Sequence, residues 1–119
     1  LTGTWGADKT FADDDWRRGG ANFGISSWGP DNLAANVAVV EKLKVIAADH
    51  GKTIPQLAIA WVLANDSISV ALAGSVTPAE ATENLGGDWE MSADLKKVID
   101  DLVLAEGSGV GTSGMEIAT

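Results

Sequence analysis

The 119-residue chain has no cysteine and no tyrosine, and His50 is its one histidine. Without Cys, a disulfide framework, a Cys-ligated zinc or iron–sulfur site and thiol catalysis are excluded. Without Tyr, no phenolic acid and no Tyr–Lys couple can operate on this chain alone, and a single His cannot supply two imidazole ligands. Basic residues are scarce too: eight Lys and Arg stand against seventeen Asp and Glu, a formal charge of −9. The closest approaches to basic pairs are Arg17 with Arg18, Lys42 with Lys44 and Lys96 with Lys97. These are too few to track a phosphate backbone, so nucleic acid is not an expected partner. The longest apolar run, Leu57 to Ala64, is far shorter than the roughly 20 residues that cross a bilayer, so no membrane partner is expected. The opening LTGTWGADKT has neither a basic nor an apolar leader segment and no initiator Met, which reads as a processed or partial chain without a signal peptide. A reducing, cytoplasmic location is the expectation.

What is present divides the chain in three. Residues 1–30 form an irregular region with Gly19-Gly20, the run Asp13-Asp14-Asp15 and the Trp residues Trp5, Trp16 and Trp28. The acidic run reads as a solvated loop, since a hard-cation site needs more converging ligands, and no metal is expected. The Trp residues read as packing groups, with substrate contact as the alternative. Residues 31–105 carry helical patterning. Asp31 is the expected N-cap of a helix whose Leu33, Val37, Val40, Leu43 and Ile46 share one face, and His50-Gly51 closes it. Residues 106–119 read as a flexible tail.

Thr53-Ile54-Pro55-Gln56 has the form of a capping box. The helix it opens, LAIAWVLA from Leu57 to Ala64, is apolar on every side and is expected to be buried all round. Ile68 to Ala73 reads as one short strand. Thr77-Pro78-Ala79-Glu80 repeats the capping signal before a helix from Pro78 to Leu85, and Ser92 caps a last helix with Leu95, Val98, Ile99 and Leu102 on one face. The reading is four helices and one or two strands. A lone strand must pair elsewhere in the chain or in another copy.

A strand, then Gly74-Ser75, then a capped helix points backbone N–H groups and a helix N-terminus at one place, which suits a phosphate. The same arrangement also serves as an ordinary strand-to-helix connection. Neither GxxxxGKS/T nor GxGxxG occurs at this turn to decide between them.

Leu1-Thr2-Gly3, DDDWRR at Asp13 to Arg18, NLAANVAVVEKLKVIA from Asn32, GKTIPQLAIAWVLAN from Gly51 and SVALAGSVTPAEATENLG from Ser69 together resemble the aldo-keto reductase family. The likeness runs from Leu1 to about Val103 and is weakest between Gly19 and Pro30. It implies α/β ancestry: the C-terminal part of a (β/α)8 barrel, from just beyond the seventh strand, with Ile68 to Ala73 as the eighth. It also implies NADP(H)-linked reduction of carbonyls. Ser75 would bind the 2′-phosphate, with the Val76 and Thr77 N–H groups beside it. Glu83 and Asn84 would contact the adenine, and Thr2 and Gly3 would match part of the pyrophosphate loop.

The departures from that family pattern limit what the chain can do. Gly74, Val76 and Glu80 stand where the family places cations, and Thr4 where a Lys often follows, so cofactor binding is expected to be weakened or NADH-tolerant, with no cofactor as the alternative. The resemblance implies that the family's catalytic Asp, Tyr, Lys and His lie on earlier strands, so no catalytic residue is assigned here. Three readings follow: an oxidoreductase segment inactive without an N-terminal complement chain, a non-catalytic homo-oligomeric remnant, and a simple adenine-nucleotide module.

Overall fold

The computed structural model describes residues 3–19 and 29–107. Its elements are a 3-10 turn at Trp16–Gly19, then α1 (Pro30–Asp49), α2 (Ile54–Leu63), α3 (Pro78–Leu85) and α4 (Ala93–Glu106). α1 packs on α2 and α4, and α2 also packs on α3. The core joins Val39, Leu43 and Ala47 of α1 to Ile54, Leu57 and Ala60 of α2 and Ile99 of α4, with Met91 closing one end.

Local chemistry sets the helix ends. The Oε1 of Gln56 accepts from the Thr53 N–H at 3.1 Å, and its Nε2 donates to the Glu83 carbonyl at 3.1 Å. One side chain thus starts α2 and ties α3 to it. Ser92 Oγ accepts from the Leu95 N–H at 3.2 Å and starts α4. α1 closes at His50, whose Nδ1 lies 2.8 Å from the Ile46 carbonyl and whose ring stacks against Trp89. Gly51 follows with φ +64, a left-handed backbone that glycine adopts without strain. His50 is a helix-end residue, as its position in the sequence suggested.

Five expectations need correction. No strand occurs among the described residues: Ile68–Ala73 has no regular structure, because no described segment offers it a strand partner. α1 is capped by Gly29 and begins at Pro30, so Asp31 lies inside the first turn, and Pro at that position is pre-set for a helix start. α2 is not buried all round. Ile54, Leu57 and Ala60 are buried, while Ile59, Trp61, Val62 and Leu63 are half-buried because α1 and α3 cover only part of its surface. On α4, Val98 is 54% exposed, and Val103 rather than Val98 packs on the core. Glu106, placed in the tail, is the last residue of α4, where it pairs with Lys42; residues 108–119 lie outside the described set.

Close packing of α2 on the end of α3 depends on Gly87. A Cβ there would lie 2.6 Å from the Cβ of Ile59, an atom fixed to the α2 backbone. Gly87→Ala is therefore expected to push α3 off α2 and cost about 1–3 kcal/mol, as overpacking does. Urea unfolding followed by far-UV circular dichroism measures it.

Residues 3–19 organise around Arg17. Trp5 and Phe11 meet edge to face at 5.3 Å, and the guanidinium of Arg17 lies 5.0 and 5.1 Å from their ring centroids. Asp15 holds that guanidinium through Nε at 2.8 Å and Nη2 at 2.5 Å. This pairing lowers the Asp15 carboxyl from 3.8 to about 2. A lowered carboxyl contributes stability that is full above the ordinary value and is lost as pH falls through the folded one. The Trp5 and Phe11 ring-proton resonances are therefore expected to hold steady down to pH 4 and shift as pH falls from there toward 2. Asp15→Asn removes that transition.

Candidate functional site

The turn before α3 carries three of the seven residues singled out as cofactor contacts, Ser75, Val76 and Thr77, and α3 itself carries two more, Glu83 and Asn84. Thr77 is the N-cap of α3, and its Oγ1 accepts from the Glu80 N–H at 3.2 Å. Asn84, in the last turn of α3, reaches back so that its Nδ2 donates to Ser75 Oγ at 2.9 Å and to the Gly74 carbonyl at 3.3 Å. The two ends of the SVTPAEATEN motif are thereby joined across the helix. Ser75, Val76 and Thr77 are exposed, while Glu83 and Asn84 are half-buried. The Glu83 carbonyl is held by Gln56, which fixes α3 to the body of the protein.

The N–H groups at this turn already have a partner. Glu80 Oε2 accepts from the Val76 N–H at 2.6 Å and from the Thr77 N–H at 3.3 Å. An internal carboxylate therefore sits on the donors that an anion would use. The cause is local: a Glu three residues after the N-cap satisfies orphan donors and favours the positive end of the helix.

Gly3 lies elsewhere. Its φ is +69, and a Cβ there would stand 2.5 Å from Lys44 Cε and 3.0 Å from Ile54 Cγ2, so it packs against α1 and α2. None of the hydrogen bonds made by Ser75, Thr77 or Asn84 reaches it. Thr2 lies outside the described residues.

A second feature is an apolar groove of about 590 Å³ between α1, α2 and α4. Leu33, Val37, Val40 and Leu43, the face read from the sequence of α1, line it together with Trp61 and Val103. Trp61 is anchored there by its Nε1–H, which donates to Asp100 Oδ1 at 2.6 Å. Lys96 holds the other carboxylate oxygen at 2.7 Å, and the two bonds keep Asp100 ionised to a lower pH than usual. This pairing spans 39 residues and no local pattern in the sequence marks it. The same holds for the bond from Gln56 to Glu83.

Among the described residues, no three acidic or imidazole side chains stand close enough to hold a metal ion. No described helix is long and apolar enough to cross a membrane.

The aldo/keto reductase family model matches residues 1–97, and the chain belongs to that family. It is similar to an aldo-keto reductase of Gibberella moniliformis, with 32% identity over 99 residues that cover 79% of this chain and 28% of the relative. The chain thus spans little more than a quarter of that relative's length. No solved structure matches it. Membership implies (β/α)8 ancestry, and the absence of strands among the described residues accords with a piece of such a fold.

Proposed function

We propose that this chain is the C-terminal segment of an NADP(H)-linked aldo-keto reductase, carrying the part of the site that grips the adenosine phosphate and inactive by itself. The observation that carries the reading is the bond from Asn84 to Ser75, which holds two of the expected cofactor contacts within one small, helix-anchored turn. The missing chemistry is consistent with inactivity. The chain has no Tyr to protonate an alkoxide, so reduction of a carbonyl requires residues from an N-terminal complement. The open groove between α1, α2 and α4 is apolar, as a surface covered by such a complement would be.

Titration with NADPH and NADH, read as energy transfer from the Trp residues to the nicotinamide, tests the reading. Saturable binding that is lost on Ser75→Ala or Asn84→Ala supports it. A second reading, a family remnant without cofactor binding, is favoured by Glu80, whose carboxylate occupies the Val76 and Thr77 donors. Absence of binding at millimolar cofactor selects that second reading.

A further inference from the structure

No Lys, Arg or His occurs between Lys52 and Lys96, and every charged residue in that interval is acidic. The turn before α3 lies in the middle of it. α3 carries Glu80 and Glu83, and α2, the helix it packs on, is uncharged throughout. The two cations that bound the interval are engaged elsewhere. Lys52 lies over Trp89, 5.5 Å from the ring centroid, and Lys96 pairs with Asp100 at 2.7 Å. Glu80 is committed to the turn itself. Its Oε2 accepts from the Val76 and Thr77 N–H groups, while its Oε1 meets no hydrogen-bond donor among the described residues.

We propose that Glu80 sets nucleotide choice at this turn, which takes an adenosine nucleotide with a free ribose 2′-hydroxyl and turns away one that carries a 2′-phosphate. The inference rests on the reading that this turn holds the adenosine end of a nicotinamide cofactor, and it adds which of the two cofactors this chain prefers. A phosphate monoester brings a charge of about −1.5 to −2 at pH 7 and calls for cations or free N–H donors. Here the donors are taken, and the charges beside them have the phosphate's own sign. A hydroxyl makes no such demand. It donates to the open Oε1 and leaves Oε2 on the turn. A carboxylate for the ribose 2′-hydroxyl and an Arg for the 2′-phosphate are the two alternative solutions in dinucleotide sites, and this turn holds the first.

Adenosine 5′-monophosphate and adenosine 2′,5′-bisphosphate differ only in the 2′-phosphate, so they isolate the choice. Each is titrated into the isotope-labelled 119-residue chain, and the Ser75, Val76 and Thr77 amides report its dissociation constant. The monophosphate is expected to bind about tenfold or more tightly than the bisphosphate. Glu80→Gln removes the charge and keeps the acceptor that starts α3, and it is expected to close the gap to about threefold or less, chiefly by tightening the bisphosphate. Raising salt from about 20 to about 500 mM screens like charges and narrows the gap in the parent chain, which keeps the test independent of how the variant folds. A bisphosphate that binds as tightly as the monophosphate overturns the proposal, as does a gap that neither Glu80→Gln nor salt narrows. If neither nucleotide nor NADH moves these amides at millimolar concentration, the cofactor reading itself fails and takes this inference with it.

Discussion

Leu57→Ala is expected to lower stability by about 2–5 kcal/mol, the cost of removing a buried leucine and leaving a void. Leu57 is 1% exposed and sits where α1, α2 and α4 meet, in a core of few residues. Total stability of small domains is about 5–15 kcal/mol, and a thin core belongs at the low end, so this one change unfolds a large fraction of the molecules. Val45 on α1 is 62% exposed and provides the contrast: Val45→Ala is expected to stay within about 0.5 kcal/mol of the parent. Urea midpoints of the two variants give the comparison, and equal midpoints would remove Leu57 from the centre of the core.

The second large effect concerns nucleotide choice. If the turn before α3 grips an adenosine phosphate, Glu80→Arg replaces a competing carboxylate with a cation at the same place. A charge-assisted hydrogen bond is worth about 1.5–3 kcal/mol, so NADPH affinity is expected to rise roughly ten- to a hundredfold. NADH lacks the 2′-phosphate and gains little. The substitution also removes the acceptor on the Val76 and Thr77 N–H groups, which shortens or frays α3 unless ligand replaces it. Glu80→Gln separates the two effects, since it removes the negative charge while keeping an oxygen acceptor. Fluorescence titration of all three proteins reads the change. An equal gain for both nucleotides would locate the effect outside the 2′-phosphate.

Helices were the most legible feature of the sequence because their signals are local. Thr77 with Glu80 and Ser92 with Leu95 make the bonds that their spacing suggests. The apolar face of α1 was also legible, but its destination was not: Leu33, Val37, Val40 and Leu43 line an open groove, and Val39, on an adjacent stripe, lines it too and is as buried as Leu33 and Leu43. The strand failed for a non-local reason. Alternating apolar residues at Ile68, Val70 and Leu72 specify a pleated face, yet a strand exists only with a neighbour, and none of the described segments provides one. α2 reads as a fully buried helix for a related cause, since its composition suits more neighbours than α1, α3 and α4 supply.

The candidate site divides the same way. Proximity of Ser75 to Asn84 follows from a turn and one short helix, so sequence spacing suffices to place it. Placement of Gly3 depends on how the N-terminal segment lies on α1 and α2, which no local pattern encodes. The capture of the turn's donors by Glu80 was implicit in the capping box. A residue that opens a helix well is, by the same bond, a competitor for any anion at that helix end.

The most direct test of the central claim, that the turn before α3 holds the adenosine end of a nicotinamide cofactor, is an amide-resolved NMR titration with NADPH and NADH. Saturable shifts are expected, confined to the backbone amides of Ser75, Val76 and Thr77 and the side-chain amide of Asn84. Resonances that stay fixed at millimolar cofactor, or shifts that gather in the groove between α1, α2 and α4, would contradict it.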